Sequence, residues 1–561
     1  MNRRPSDRAR LLVGAAALAL VLVSTAVARR GAESAPAPEP TLVFGTDADP
    51  VLLDGALAHD AESRRVINQI FEGLVGYRAG TTQLQPLLAT SWRESRNGHA
   101  WTFRLRRGVR FHDSTPFDAA AVCFNFNRWW NLRPALQDPR VTPAWRLVFG
   151  GFHTIRPGVP GHSAYRGCRP VGLYAVRLLL NRRLDSLPGS LALSSFTIGS
   201  PRALSRFGAN RGTVDANGVF HPLGSYGTLH PAGTGPFAFK SWSGGTKLEL
   251  VRNIHYWGRK PTLRRLIFRP ISTDASRRQA LIDGEVQGYD PVTAVDARRL
   301  RLGGFKVLRR PAFDVAYLGI NQAKPPFDRL TVRQALAYGL DRRLVVRRLF
   351  GRGAAVAREF MPPGLPGYTK SVRQYSYRPA LARRLLRKAG LKLPVRVELW
   401  YPKTDALASL PQPKAVYKIL SASLARAGFA VVGRTAGWPW RYQSAVAQGR
   451  CQLYLAAVTG GFADADAFLG ALFRRQQRAW GPFRYHALYR QLVRALAEPS
   501  AARRAADYRR ANEMIMRFLP GVPIAHVGSG TAFLRGVSGY RPSPVWLDRF
   551  ASVRLRPAGN G

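Results

Sequence analysis

Acidic residues are scarce in this chain. Only 33 Asp and Glu stand against 85 Lys and Arg, leaving a formal charge of +52 over 561 residues. The arginines are scattered along the whole length, so the charge forms neither a basic tail nor one helical stripe. No helix-turn-helix, zinc-finger or RNA-binding signature accompanies it, and without one the charge alone does not make a nucleic-acid protein. A field this positive still attracts anionic lipids, polymers or ligands at low salt. The alternative class to be weighed is therefore an envelope polyanion or nucleic-acid binder. Catalytic signatures are missing as well: there is no G-x-S-x-G elbow, no G-x-x-x-x-G-K-[ST] phosphate loop and no H-E-x-x-H. No His or Cys spacing resembles a zinc or iron site. The sequence thus leads us to expect no catalytic residues, no metal and no cofactor.

Cysteine is limited to Cys123, Cys168 and Cys451. Residues 1–28 have a basic start (Arg3, Arg4, Arg8, Arg10), an apolar run and the small-residue spacing Ala26-Val27-Ala28. They read as a signal peptide or an uncleaved signal anchor, and residues 29–40, rich in Ala, Pro and Glu, as a linker. No cysteine follows the run, so a lipid-anchored end is not available. Export places the cysteines in oxidising surroundings, and Cys123 and Cys168, which share one segment, are expected to pair and leave Cys451 reduced. Hydrophobic content of 46% and aromatic content of 11% predict folded cores, and the length predicts more than one.

The most informative stretch is 233–258, GTGPFAFKSWSGGTKLELVRNIHYWG. Gly233, Gly235 and Pro236 predict a tight turn through the backbone freedom of glycine and the fixed φ of proline. Alternation around Phe237 and Phe239, then around Leu248 and Leu250, predicts a hairpin turning at Gly244-Gly245. Farther on, AYLGINQAKPPFDRLTVRQALAYGLDRRLVVRRLFG (316–351) reads as a strand, a proline-stopped turn and an amphipathic helix. These motifs resemble the extracytoplasmic solute-binding proteins of peptide and nickel ABC importers, the family 5 type. FEGLVGY, LQPLLATSW, WTFRLRRGVRFHD, DASRRQALIDGEV and the helix from Pro379 to Gly390 extend the resemblance over nearly all of 41–554. Gln287 stands where the family usually has an acidic residue. The resemblance makes LQPLLATSW a helix and His112-Asp113 a structural turn, not an acid-base pair.

The resemblance implies an α/β, two-lobed fold of the type II periplasmic-binding-protein kind, with an extra inserted domain and a hinge between lobes. The expected division is 41–80 as the first part of lobe I, 81–194 as the inserted domain and 195–303 as the second part of lobe I. Residues 304–512 follow as lobe II and 513–561 as the return to lobe I. It also implies a monomeric exported receptor that closes over a small-molecule or peptide-like ligand and delivers it to an ABC permease in the membrane. No nucleic acid is expected as partner. Peptide-binding members hold the free amine with an aspartate in a Trp-Thr-Gly-Asp loop; here the positions read Val458, Thr459, Gly460, Gly461, followed by Phe462, Asp464 and Asp466. The carboxylate is replaced by Gly461, so a peptide held by its free amine is disfavoured unless Asp464 or an opening-loop acid substitutes. The expected ligand-contacting set is His59 and Asp60 from the opening loop, Trp438 and Trp440, and Thr459, Gly461, Phe462 and Asp464.

Overall fold

Three sheets, each filled by alternating apolar side chains, account for the cores of this computed structural model. The structure describes residues 39–556 apart from 59, 139, 157–158, 217, 352–353, 405–406, 408, 439, 461, 475–477 and 482–484. The expected export segment 1–28 and most of the linker 29–40 lie outside the described residues.

The first sheet has seven strands in the order Phe237–Ser243, Lys247–Arg252, Arg265–Pro270, Thr41–Thr46, Gly288–Val292, Gly530–Phe533 and Lys306–Arg309. Thr41–Thr46 runs parallel to both of its neighbours, and the hairpin is antiparallel, pairing Phe237 with Arg252. Leu42 and Phe44 are fully buried, and the Phe44 ring meets Phe550 at 5.0 Å and Phe533 at 5.8 Å. The second sheet has six strands: Ala355–Val356, Gly521–His526, Asp314–Ile320, Leu453–Thr459, Val395–Lys403 and Phe429–Gly437. The helix Pro413–Arg426 joins the last two, which are parallel, in a right-sized crossover for a βαβ unit. A four-stranded antiparallel sheet, Ala89–Glu94, Ala100–Leu105, Ala175–Leu180 and Tyr165–Pro170, forms the inserted region. There Cys123 on the helix Ala119–Trp130 is disulfide-bonded to Cys168 on the edge strand, while Cys451 is buried and free.

The chain passes from the first large sheet to the second through 310–313 and comes back through 527–529. Lys306–Arg309 belongs to the first sheet because it pairs with Gly530–Phe533, and Gly521–His526 belongs to the second because it pairs with Asp314–Ile320. Sheet membership therefore changes later than positions 304 and 513, the boundaries expected from the sequence.

Two local expectations are corrected. LQPLLATSW is no helix: Ala89–Glu94 is a strand, with Trp92 opposite Phe103 and a register shift near Ala89. Its partner strand supplies the backbone hydrogen bonds that a helix would have made internally. Gly233 and Gly235 do not occupy the left-handed region. They are small because a Cβ would stand 2.2 Å from the Ile70 carbonyl and 2.4 Å from that of Gln69. Gly245 in the hairpin does use its freedom, at φ +73°.

Candidate functional site

The strand Leu453–Thr459 delivers the chain into the loop that the sequence singled out, and it lies antiparallel to Asp314–Ile320 with Thr459 opposite Asp314. Beside its end is a cavity of 350 Å³ lined by Trp438, Tyr442, Ser409, Leu410, Ala457 and Thr459, among others. No charged side chain is among the described residues that line it. The Ser409 and Thr459 hydroxyls are 2.9 Å apart. Trp438 is partly exposed at the rim, and its ring centroid is 6.3 Å from that of Tyr442, whose hydroxyl is fixed 2.7 Å from the Leu455 carbonyl. An aromatic wall with two hydroxyls suits the uncharged part of a solute: it removes apolar surface from water and leaves hydrogen-bonding groups at one edge.

The loop itself is braced from within. Asp464 caps the short turn Ala465–Ala467 by accepting the Asp466 N–H at 2.8 Å, and it receives Arg504 Nη2 at 2.7 Å. Asp466 in turn holds Arg474 at 2.5 Å and lies 3.3 Å from the Tyr508 hydroxyl. Asp464 is thus already paired with a cation. Phe462 is buried, with 3% exposure, and serves the loop's own core. Phe468 packs edge-on against Phe313 of the crossing segment, with centroids 5.4 Å apart. The Tyr77 hydroxyl, on the strand Val75–Tyr77, accepts the Ala463 N–H at 3.1 Å and donates to the Gly189 carbonyl at 3.2 Å.

Of the expected contact set, Trp438 and Thr459 share the cavity. Asp60 is occupied as N-cap of the helix Ala61–Ile70, accepting the Ser63 N–H at 2.8 Å. Trp440 begins the helix Trp440–Ala447, and His59 and Gly461 lie outside the described residues. The sequence reading missed Ser409, Tyr442 and Tyr77. Tyr442 follows two residues after Trp440 in WPWRYQ, and an aromatic cluster flanking a strand was the one signal available. His112 is indeed part of a turn. Its Nε2 lies 3.0 Å from the Gly235 carbonyl, and burial lowers its pKa to about 4, which keeps the ring neutral.

The crossing segments carry the strongest electrostatics. Arg310 is fully buried, bound to both Asp548 oxygens at 2.7 and 2.8 Å, to Asp290 and to the Ser543 carbonyl at 2.6 Å, and it lies 4.1 Å from the Trp546 ring. Arg65 adds contacts to Glu62 at 2.8 Å and Asp548 at 3.2 Å. The two arginines hold the Asp548 carboxyl below the usual carboxylate range despite its burial. Among the described residues no cation reaches Asp314, whose carboxyl is hydrogen-bonded by Ser409. It accepts the Val527 N–H at 2.7 Å, and burial pushes its carboxyl up to about 8.

Residues 83–480 match the family model of bacterial extracellular solute-binding proteins, family 5. The chain belongs to that family. Members of family 5 are substrate-binding proteins, and this chain has that role. It is 27% identical over 521 residues to the dipeptide-binding protein of Escherichia coli K12, covering 90% of this chain and 92% of that one. It is 26% identical to heme-binding protein A of Haemophilus influenzae, covering 90% of each. The fold superposes on the periplasmic binding protein DppA of Helicobacter pylori, solved with the peptide STSA, with a TM-score of 0.76 and 26% identity over 92% of this chain and 98% of the other. NikA of Brucella suis, at 21% identity, shares the fold with a TM-score of 0.78 over 92% of this chain and all of that one. The two-lobed α/β architecture is therefore established, and a polyanion-binding role is not favoured. Among the described residues no helix is long and apolar enough to cross a membrane.

Proposed function

We propose that this family 5 protein is the exported receptor of an ABC importer, without chemistry of its own, and that it hands a peptide-like or other small solute to a membrane permease as a monomer. Its two large sheets form the lobes, the region 81–194 is an inserted domain, and residues 1–28 direct export. The solute carries an uncharged, largely apolar group that fills the cavity beside Trp438 and Thr459, and its other end is neutral, anionic or N-blocked. One observation supports this reading: among the described residues the cavity lining holds no charged side chain, and Asp464 in the loop beside it is already bound to Arg504. Gly461 brings no carboxylate to the loop. An ammonium enclosed there would find no charged partner among the described lining residues, at a cost of several kcal/mol.

Native mass spectrometry of the purified protein should reveal a co-purified solute of this kind. Calorimetry with paired dipeptides should then rank N-acetylated forms above free-amine forms, and Trp438→Ala should weaken the preferred ligand about tenfold. Tighter binding of free-amine peptides than of their N-acetylated counterparts would overturn the ligand assignment.

A further inference from the structure

A second cavity, of 790 Å³, lies where the lobes meet and is lined by Arg298, Arg301, Arg309 and Arg347, with Val292 and Phe350 among its apolar walls. It is bounded by the backbone of 528–530, part of the returning crossover. Arg298 and Arg301 come from the helix Ala294–Leu302, which packs on the first sheet, whereas Arg347 comes from the helical segment Val346–Phe350 of the second lobe. In the second sheet this cavity lies toward the Ala355–Val356 edge. The solute cavity lies beyond Leu453–Thr459, on the other flank of the central pair. No carboxylate appears among the described lining residues. The one acid on the helix, Asp296, is engaged with Arg278 and with the helix N-cap Thr293.

Exposed arginines are common on a chain of this charge, so their number is not the argument. The guanidinium groups of Arg298 and Arg301 from one side of the hinge and of Arg347 from the other line one concavity, where their like charges repel. A concave, low-dielectric wall focuses that field. The guanidinium fork matches phosphate oxygens in bidentate geometry, and an anion bearing several charges relieves more of the repulsion than separate monovalent ions do. We propose that this cavity is an anion site for a ligand with two or more phosphate charges, either a soluble oligophosphate or a phosphate-bearing lipid headgroup. Because the ligand bridges arginines of both lobes, its occupancy is linked to the interlobe angle and hence to solute binding.

The test uses the mature full-length protein at near-physiological salt, with inorganic pyrophosphate as the soluble probe and phosphatidylcholine vesicles with or without phosphatidic acid as the lipid probe. Arg301→Gln/Arg347→Gln should weaken binding about tenfold or more, as expected for removing two charge-assisted contacts. Both side chains are exposed, so the fold is not at risk. Arg166→Gln/Arg177→Gln, on the basic sheet face of the inserted region, should leave binding nearly unchanged. Dependence on Arg301 and Arg347 seen with pyrophosphate assigns the site to a soluble anion, and the same dependence seen only with phosphatidic acid assigns it to a headgroup. Equal losses in the two double variants, or binding of neither probe, would overturn the proposal. Spin labels at Ser276→Cys and Lys388→Cys, one on each lobe, should change their distance distribution when the probe binds. Binding without such a change would refute the bridging.

Discussion

The hydroxyl of Tyr77, on the strand Val75–Tyr77, accepts the backbone N–H of Ala463, in the loop after Leu453–Thr459, at 3.1 Å. This bond joins the loop beside the cavity lined by Trp438 and Thr459 to a distant part of the chain, and on the function proposed above it forms as the lobes close. Tyr77 is buried, and the same hydroxyl is anchored on Gly189. Tyr77→Phe keeps the ring and removes the bond. The expected result is a loss of roughly three- to tenfold in affinity for the co-purified solute, the worth of one hydrogen bond. It should appear mainly as faster dissociation in stopped-flow traces, and an unchanged dissociation rate would show that the contact plays no part in closure.

Asp314 predicts a pH dependence of stability. Burial raises its carboxyl to about 8, so between about pH 4 and 8 the folded protein keeps a proton that the unfolded chain releases. The contribution is complete below about pH 4 and is lost as pH rises to about 8, with a slope of up to about 1.4 kcal/mol per pH unit. Asp314→Asn imitates the protonated form and should flatten that slope in urea titrations between pH 5 and 8. An identical slope in wild type and variant would mean that the carboxyl is ionised throughout.

Gly235→Ala and Gly245→Ala separate two uses of glycine. A Cβ at Gly235 meets the Gln69 carbonyl oxygen at 2.4 Å, whereas at Gly245 it meets nothing within 4 Å and suffers only from φ +73°. The first substitution should cost about 1–3 kcal/mol through overpacking against backbone, and the second about 1 kcal/mol. Urea midpoints measure both, and a reversed order would contradict the packing described for the turn.

Replacing Cys123 and Cys168 by serine should destabilise the exported protein by about 2–4 kcal/mol, the usual worth of a bridge closing a loop of this size. Non-reducing peptide maps should show Cys451 unmodified before unfolding and reactive after it, because it is buried and burial raises its thiol pKa to about 12.

Elements whose signal is local could be read from the sequence. The hairpin 237–252 and the helix Pro379–Lys388 rest on alternation, periodicity and turn residues within one segment. Ala89–Glu94 was misread because its state depends on a strand that hides nothing in its own sequence pattern: Trp92 finds its place only against Phe103. The site shows the same division. Trp438 and Thr459 were visible as an aromatic and a loop residue near a motif. The roles of Asp464 and Tyr77 depend on Arg504 and on the Ala463 N–H, distant partners decided by the tertiary fold, whereas Asp60 caps its own helix through the Ser63 N–H three residues on. Asp314 carried no signal, since an aspartate opening a strand reads as exposed until its neighbours are known.

The two crossing segments are fastened to each other as well as to their lobes. Arg310 donates its N–H to the Ser529 carbonyl at 2.9 Å and its Nε–H to the Ser529 hydroxyl at 3.2 Å, and the Val527 N–H reaches Asp314 at 2.7 Å. Two independent tethers would let the lobes twist, slide and shear. A laced pair resists twisting and shearing and favours bending as one ribbon, so the lobes of the proposed receptor are expected to close along one arc whatever solute they take.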